Sequence, residues 1–279
     1  KVAPGEGWPV AAVGETREET GLTAHLGIPL PDATYTVMSR TGTPDEKRVR
    51  YWAATVTGSA ARLAHEVDEV AWLGVDEAHH RLDYARDREQ LLAVTQSHEH
   101  GVLGTWPLIV VRHAKAVARA DYEGADDQRR PLDERGRARA RALIPVLAAY
   151  GIRRLVSSPS VRCADTLAPY AAAARLRVRA KEGLSEEGFA TRPEAASRQV
   201  ARLLERGNPA AICSHGPVLP GILTTLATRV TPDLIGRDEV VALLEEAAAD
   251  KMVKGEALVC HVVGTGAQAG IVAAERHLP

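Results

Sequence analysis

Two histidines and two arginines stand where a folded chain could gather them around one phosphoryl group. Arg112-His113 follows the apolar run Leu108-Ile109-Val110-Val111. Arg162 lies in Ser157-Ser158-Pro159-Ser160-Val161-Arg162, and His215 lies in Ser214-His215-Gly216 after Ala211-Ile212-Cys213. A neutral imidazole can attack phosphorus in line and form a phosphohistidine, which divides one hard displacement into two easier ones. Guanidinium presents a fixed fork that matches phosphate oxygens and stays charged at any working pH. Arg112, Arg162 and a protonated His215 would meet the charge that collects on the equatorial oxygens. The leaving oxygen also needs a proton. Glu186 in Leu184-Ser185-Glu186-Glu187-Gly188 is the candidate acid, with Glu187 in reserve. A lone histidine after a strand is usually structural, but three motifs of the right types at three strand ends point to phosphoryl chemistry.

A second constellation lies near the amino terminus. Glu15, Glu18 and Glu19 occupy positions i, i+3 and i+4 of a helix expected from Pro9 to Thr20 and stopped by Gly21. At roughly 100° per residue they share an arc of about 100°. Like charges so stacked repel, and a divalent cation such as Mg²⁺ or Mn²⁺ reverses that sign. On three glutamates alone, a solvated acidic face is the better reading. Downstream, Lys47, Arg48 and Arg50 precede Tyr51-Trp52 on a hairpin strand. They could bind a nucleotide's phosphates and base, or equally guard an edge strand with charge. Glu66 and Glu69 before Trp72 read as a solvent-facing strand rather than further metal ligands.

The elements that must carry these groups fall into two sets, as 279 residues allow. Residues 1–96 mix helix and strand on a small scale. After the helix at 9–20, strands are expected at Thr34–Ser39 and Arg48–Thr57, another at Val67–Leu73, and a helix-like segment at Asp76–Ala93. The polar stretch Thr95–Trp106 reads as irregular, with a linker at 97–106. Residues 107–279 then alternate strand and helix: strands at 108–111, 153–156, 176–180 and 210–213, helices at 133–150, 160–174, 193–206 and 217–229. That rhythm predicts an α/β domain with a mainly parallel sheet covered on both faces. A helix at 238–250 and a strand pair at 257–263 and 270–274 close the chain.

Composition sets limits. Apolar residues make up 45% and charged residues 25%, an ordinary globular balance, and the net charge of −1 supplies no basic field for nucleic acid or a membrane surface. No apolar run approaches the roughly 18 residues of a membrane span. The first residues are no signal peptide, and because the chain begins with Lys1, residues upstream are expected to be missing. Cys163, Cys213 and Cys260 are odd in number and widely spaced, which fits a reducing cytoplasm better than a disulfide framework.

Two family resemblances follow from these motifs. Arg112-His113, Ser157-Ser158-Pro159 with Arg162, and Ser214-His215-Gly216 resemble the histidine phosphatase superfamily, the phosphoglycerate mutase-like fold, across roughly Pro107 to Pro279. The resemblance implies phosphorylation of His113, a phosphate pocket of Arg112, Arg162 and His215, and no cofactor there. It favours Glu186 over Glu187 as the match to the family's acid. Ala114 stands where the family usually has Gly.

Glu6, then seven residues, then Gly14-Glu15-Thr16-Arg17-Glu18-Glu19-Thr20-Gly21-Leu22 is similar to the Nudix box. That implies Glu15, Glu18 and Glu19 as ligands of Mg²⁺ or Mn²⁺, in a Nudix-like α/β domain incomplete at its amino terminus. Gly14 replaces the box arginine, and Thr16 replaces an apolar residue.

The pairing resembles bacterial two-domain MutT-type hydrolases. It implies a nucleoside polyphosphate hydrolase with a nucleotide substrate such as 8-oxo-GTP, 8-oxo-dGTP or a dinucleoside polyphosphate. Oligomeric state is left open, a homo-oligomer included. Two competing readings are a histidine phosphatase whose Nudix half only binds substrate or forms an interface, which Gly14 favours, and a nucleotide sensor. A sensor has no need of a nucleophile.

Overall fold

The structure, a computed structural model, describes residues 2–3, 5–39, 41–59, 69–249 and 252–279. The chain forms two compact units, chiefly residues 8–104 and residues 105–279.

In the first unit, helix α1 (Trp8–Thr20) begins with a proline in its first turn, where the missing N–H costs no intrahelical bond. It stops at Gly21, whose φ of +68° lies in the left-handed region that a side chain disfavours. Strands β1 (Leu22–Met38) and β2 (Pro44–Ser59) pair as an antiparallel hairpin. β1 therefore starts at Leu22, well before the expected Thr34. Gly27, Pro29 and Pro31 interrupt this stretch, and the pairing shifts register between Leu26 and Pro29 and between Leu30 and Ala33, irregularities that accommodate proline. Ala24, Leu26, Ile28 and Leu30 alternate inward and are buried.

Helices α2 (Val75–Arg81) and α3 (Ala85–Glu99) follow, and α1 and α3 both pack on β1. The expected segment 76–93 is thus two helices, and residues 95–99, read as irregular, are the end of α3. That helix buries none of its residues, so no apolar stripe betrays it. Of the strand expected at 67–73, residues 67 and 68, like Glu66, lie outside the described residues, and 69–73 belong to no strand.

The second unit is a six-stranded sheet of β3 (Trp106–Arg112), β4 (Arg154–Ser157), β5 (Val178–Ala180), β6 (Ala210–Ser214), β7 (Ala257–Val263) and β8 (Gly270–His277), in the order β5-β4-β6-β3-β7-β8. The first four strands are mutually parallel, and β7 and β8 run antiparallel beside β3. Leu108 to Val111 and Ala210 to Cys213 are fully buried, as central strands covered on both faces must be. Helices α4 (Glu134–Ala149), α5 (Val161–Ala173), α6 (Glu186–Thr191), α7 (Glu194–Arg206), α8 (Leu219–Ala227) and α9 (Arg237–Ala249) complete the unit. Among the described residues no helix is long and apolar enough to cross a membrane.

One buried polar group has a measurable consequence for this unit. Tyr150, His261, Glu275 and His277 are buried together. Glu275 Oε1 accepts from Tyr150 Oη at 2.8 Å and from His261 Nε2 at 2.9 Å, and Tyr150 Oη lies 2.9 Å from His277 Nε2. Burial alone would raise the Glu275 pKa; the hydrogen bond and charge of His261, with His277 and Tyr150, hold it at about 2. A depressed carboxyl stabilises the fold above its ordinary pKa and loses that contribution as pH falls toward the folded value. Glu275→Gln is therefore expected to cost about 3 kcal/mol at pH 7 and to flatten the fall in stability between about pH 4 and pH 2. Urea unfolding at a series of pH values measures both, and an unchanged acid limb would rule the cluster out.

Candidate active site

The parallel order brings the carboxyl ends of β3, β4 and β6 side by side, where ligands bind in open α/β sheets. His113 follows β3, and its backbone N–H donates to the Ser214 carbonyl at 3.0 Å, tying the two histidine motifs together. The rings of His113 and His215 lie 5.2 Å apart, edge to face. His113 is buried, and its Nδ1–H donates to the Ala114 carbonyl at 2.7 Å. That bond selects the tautomer whose Nε2 keeps its lone pair. Burial is the main cause that lowers the His113 pKa to about 3; the Ala114 bond opposes it, and His215, Arg162 and Arg112 add to it. The imidazole is neutral at working pH. Ala114, in the place of the family's glycine, is fully buried, and its N–H donates to Thr166 Oγ1 at 2.9 Å.

Two guanidinium groups stand by. Arg162, in the first turn of α5, is only 1% exposed. Its Nη1 donates to the Asp127 carbonyl at 2.8 Å and lies 3.2 Å from Asp127 Oδ2; its Nη2 donates to Glu186 Oε1 at 3.1 Å. Arg112 Nη1 donates to the Met252 carbonyl at 2.5 Å. The glycine of Ser-His-Gly makes room for it, because a Cβ on Gly216 would stand 3.1 Å from Arg112 Nη2. The Nε–H groups of both arginines are buried without a hydrogen-bond partner among the described residues. Buried donors left unsatisfied are costly unless a ligand takes them up.

His215 is fully buried between two acceptors. Nδ1 lies 3.3 Å from Glu186 Oε1, and Nε2 lies 2.8 Å from Ser158 Oγ. Ser158 spends its own hydrogen on Ser160 Oγ at 3.2 Å, so its oxygen can accept from Nε2. Both ring nitrogens thus face groups that accept a proton, the pattern of an imidazolium. Burial works against the charge, yet the bonds to Cys163 and Glu186 outweigh it and raise the His215 pKa.

Glu186 joins these residues, but not in the form an acid requires. The hydrogen bond to His215 is the chief reason its pKa falls to about 2; burial opposes this, and the charges of His215 and Arg162 reinforce it. Arg119 Nη2 adds a third cation 3.9 Å away. In the resting site Glu186 is a carboxylate lying on the donors that a phosphoryl oxygen would use, and carries no proton to give. Glu187 is exposed.

Sequence reasoning gave no role to Ser158 or Cys163, although both lie within or beside a quoted motif, and it passed over Asp127. That carboxylate holds Arg162 and also Arg130 Nε at 2.8 Å and Arg119 Nε at 3.3 Å. The only available signal was indirect: a buried arginine needs an acidic partner.

In the first unit, a cavity of about 690 Å³ is lined by Glu15, Glu19, Lys47, Arg48, Arg50 and Trp52, among others. Glu18 is exposed and not part of that lining. Arg48 Nε donates to Asp32 Oδ2 at 2.8 Å, Arg50 Nε lies 3.6 Å from Asp32 Oδ1, and the Arg50 guanidinium lies 5.0 Å from the Trp52 ring centroid. Carboxylates suit a hard divalent cation in kind, and Glu15 and Glu19 line the same cavity. No group of three His, Cys, Asp or Glu among the described residues is gathered to hold a metal. A Cβ at Gly14 would meet nothing within 4 Å, so crowding does not explain the missing arginine.

Comparison with known proteins agrees with this division. The NUDIX domain profile matches residues 1–94, and that of the histidine phosphatase superfamily (branch 1) matches residues 108–194. Nudix domains generally use divalent metal ions. An 8-oxo-(d)GTP phosphatase of Mycolicibacterium smegmatis is 39% identical over 239 residues, covering 85% of this chain and 71% of that protein. The chain belongs to the same family, in which a Nudix domain is joined to a histidine phosphatase domain, and is a hydrolase of phosphate esters and anhydrides. Among solved structures, one from Nakamurella multipartitia described as a phosphohistidine phosphatase, SixA, is 21% identical with a TM-score of 0.46, covering 62% of this chain and 96% of that chain. A mycobacterial glucosyl-3-phosphoglycerate phosphatase is 16% identical with a TM-score of 0.43, covering 63% and 98%.

Proposed function

We propose that this chain is a nucleoside polyphosphate hydrolase acting on oxidised guanine nucleotides, 8-oxo-GTP and 8-oxo-dGTP, or on dinucleoside polyphosphates. One observation carries the reading: a His113 whose Nδ1–H is committed to the Ala114 carbonyl, leaving Nε2 without a partner among the described residues, stands beside Arg112, Arg162 and His215, whose two ring nitrogens both face acceptors. In the proposed reaction His113 Nε2 attacks the terminal phosphorus, the bond to the leaving oxygen breaks, and water then cleaves the phosphohistidine. Arg112, Arg162 and His215 hold the migrating oxygens. The ionised Glu186 supports an anhydride substrate, because a leaving phosphate needs no proton whereas a leaving alkoxide does. The guanine base comes from the relative's activity.

For the first unit we propose Glu15, Glu18 and Glu19 as ligands of Mg²⁺ or Mn²⁺, and Lys47, Arg48 and Arg50 as contacts to the substrate's phosphates. The shared cavity of Glu15, Glu19 and the three basic residues supports this. A bound divalent cation would supply the charge that activates water toward a phosphoanhydride. The three free, buried cysteines support a cytoplasmic setting.

The test is a product analysis of 8-oxo-dGTP and a dinucleoside tetraphosphate with wild type, Glu19→Gln and His113→Ala, with and without Mg²⁺. Glu19→Gln is expected to remove the Mg²⁺-dependent activity, by about 10²-fold or more, and to leave Mg²⁺-independent phosphate release intact. If Glu19→Gln leaves every nucleotide activity unchanged, the Nudix half only binds, the reading that Gly14 favours. If wild type releases phosphate from no compound, the enzyme assignment fails.

A further inference from the structure

Cys163 has no part in the reaction as derived so far. Its thiol is fully buried on the turn of α5 that carries Arg162, with its sulfur 3.3 Å from Nε2 of His215 and 3.9 Å from Nδ1. A sulfur within reach of both nitrogens acts on the ring as a whole, by charge and polarisability, more than as the end of one directed bond.

His215 needs such a neighbour. Burial disfavours its charge, and so do the guanidinium groups of Arg162 on α5 and of Arg112, packed on the adjoining Gly216; the neutral His113 ring after β3, 5.2 Å away, offers no compensating charge. Three groups favour it. Ser158 accepts at Nε2, Glu186 accepts at Nδ1, and Cys163 lies against the ring, with Cys213 next to it. Glu186 cannot keep that role through the reaction. Its Oε1 lies on Arg162 Nη2 and His215 Nδ1 together, so a phosphoryl oxygen gripped by the same two donors must displace it. Ser158 is neutral. Cys163 approaches from the protein interior, and nothing in substrate binding removes it.

We propose that Cys163 is a positioning residue for His215, whose sulfur keeps the ring turned to the phosphoryl site and charged while Glu186 yields to the substrate. The proposal rests on the phosphatase reading of the second unit. The two partners shift in opposite, complementary directions: Cys163 down and His215 up. Burial raises the Cys163 pKa, but its bonds to Cys213 and His215 and the Arg162 charge more than offset it and lower the net value, as they should if thiolate and imidazolium stabilise each other.

The test joins a histidine titration to a pH profile. NMR of histidine-labelled full chain follows the His215 midpoint in wild type, Cys163→Ala and Cys163→Ser, and kcat/KM for an activated aryl phosphate is measured from pH 5 to 9. Loss of a stabilising partner lowers a histidine's pKa, so Cys163→Ala should move the midpoint down by about one pH unit. The alkaline limb should follow, with about a tenfold loss of kcat/KM on that limb. Cys163→Ser should recover KM and melting temperature but not the midpoint, since a hydroxyl does not ionise in this range. An unmoved midpoint in both variants, with a lower melting temperature alone, overturns the proposal and leaves Cys163 a core residue. A midpoint that shifts in Cys163→Ala while wild type itself shows no phosphatase activity upholds the pair and overturns the phosphatase reading instead.

Discussion

His113→Ala is expected to lower metal-independent phosphate release by about 10⁴-fold or more, the scale on which removal of a covalent nucleophile acts. The chemical signature matters as much as the rate. Wild type quenched during reaction with a γ-labelled nucleotide should retain phosphate in a form labile to acid and stable to alkali, as a phosphoramidate is. The variant should retain none. Because Nδ1–H is committed to the Ala114 carbonyl, the phosphate should be on Nε2, which NMR of the labelled ring distinguishes. Phosphate trapped on any residue other than His113, or full activity in the variant, would refute the nucleophile assignment.

The second large effect is expected at Arg162. This guanidinium is 1% exposed and spans Asp127 and Glu186, so Arg162→Met removes a clamp on the transition state and the partner of two carboxylates. A transition-state arginine is worth roughly 10³-fold or more in rate, and removing the buried member of ion pairs whose carboxylates are 34% and 30% exposed costs about 2 kcal/mol of stability. Both losses should appear, the first in kcat/KM and the second in the denaturant midpoint. Arg162→Lys keeps the charge but not the fork that reaches Asp127 and Glu186 at once, so it should recover part of the stability and little of the rate. A lysine variant with wild-type kcat/KM would show that charge alone suffices.

How far the chain could be read depended on whether a feature was local. β3 and β6 were legible because strands covered on both faces are unbroken apolar runs, here Leu108–Val111 and Ala211–Cys213. The early part of β1 was not, because Pro29 and Pro31 break the pattern and only the bulged pairing with β2 absorbs them. The end of α3 was missed because the helix has no buried face. In the site, the grouping of Arg112, His113, Arg162 and His215 was legible because each belongs to a short motif at a strand end. Asp127 was not, because its partner Arg162 lies 35 residues away and no local pattern links them.

Residue type and short-range spacing were enough to single out the candidate nucleophile, its arginines and the three glutamates of α1, and to predict the alternation that builds a mainly parallel sheet. Protonation was decided only by the fold. Burial pushes the His113 pKa down to about 3, the contacts with Cys163 and Glu186 raise that of His215, and His215 with Arg162 holds Glu186 at about 2, each set by groups from other strands and helices. Such through-space terms exist only once the chain has closed, and no spacing along it records them.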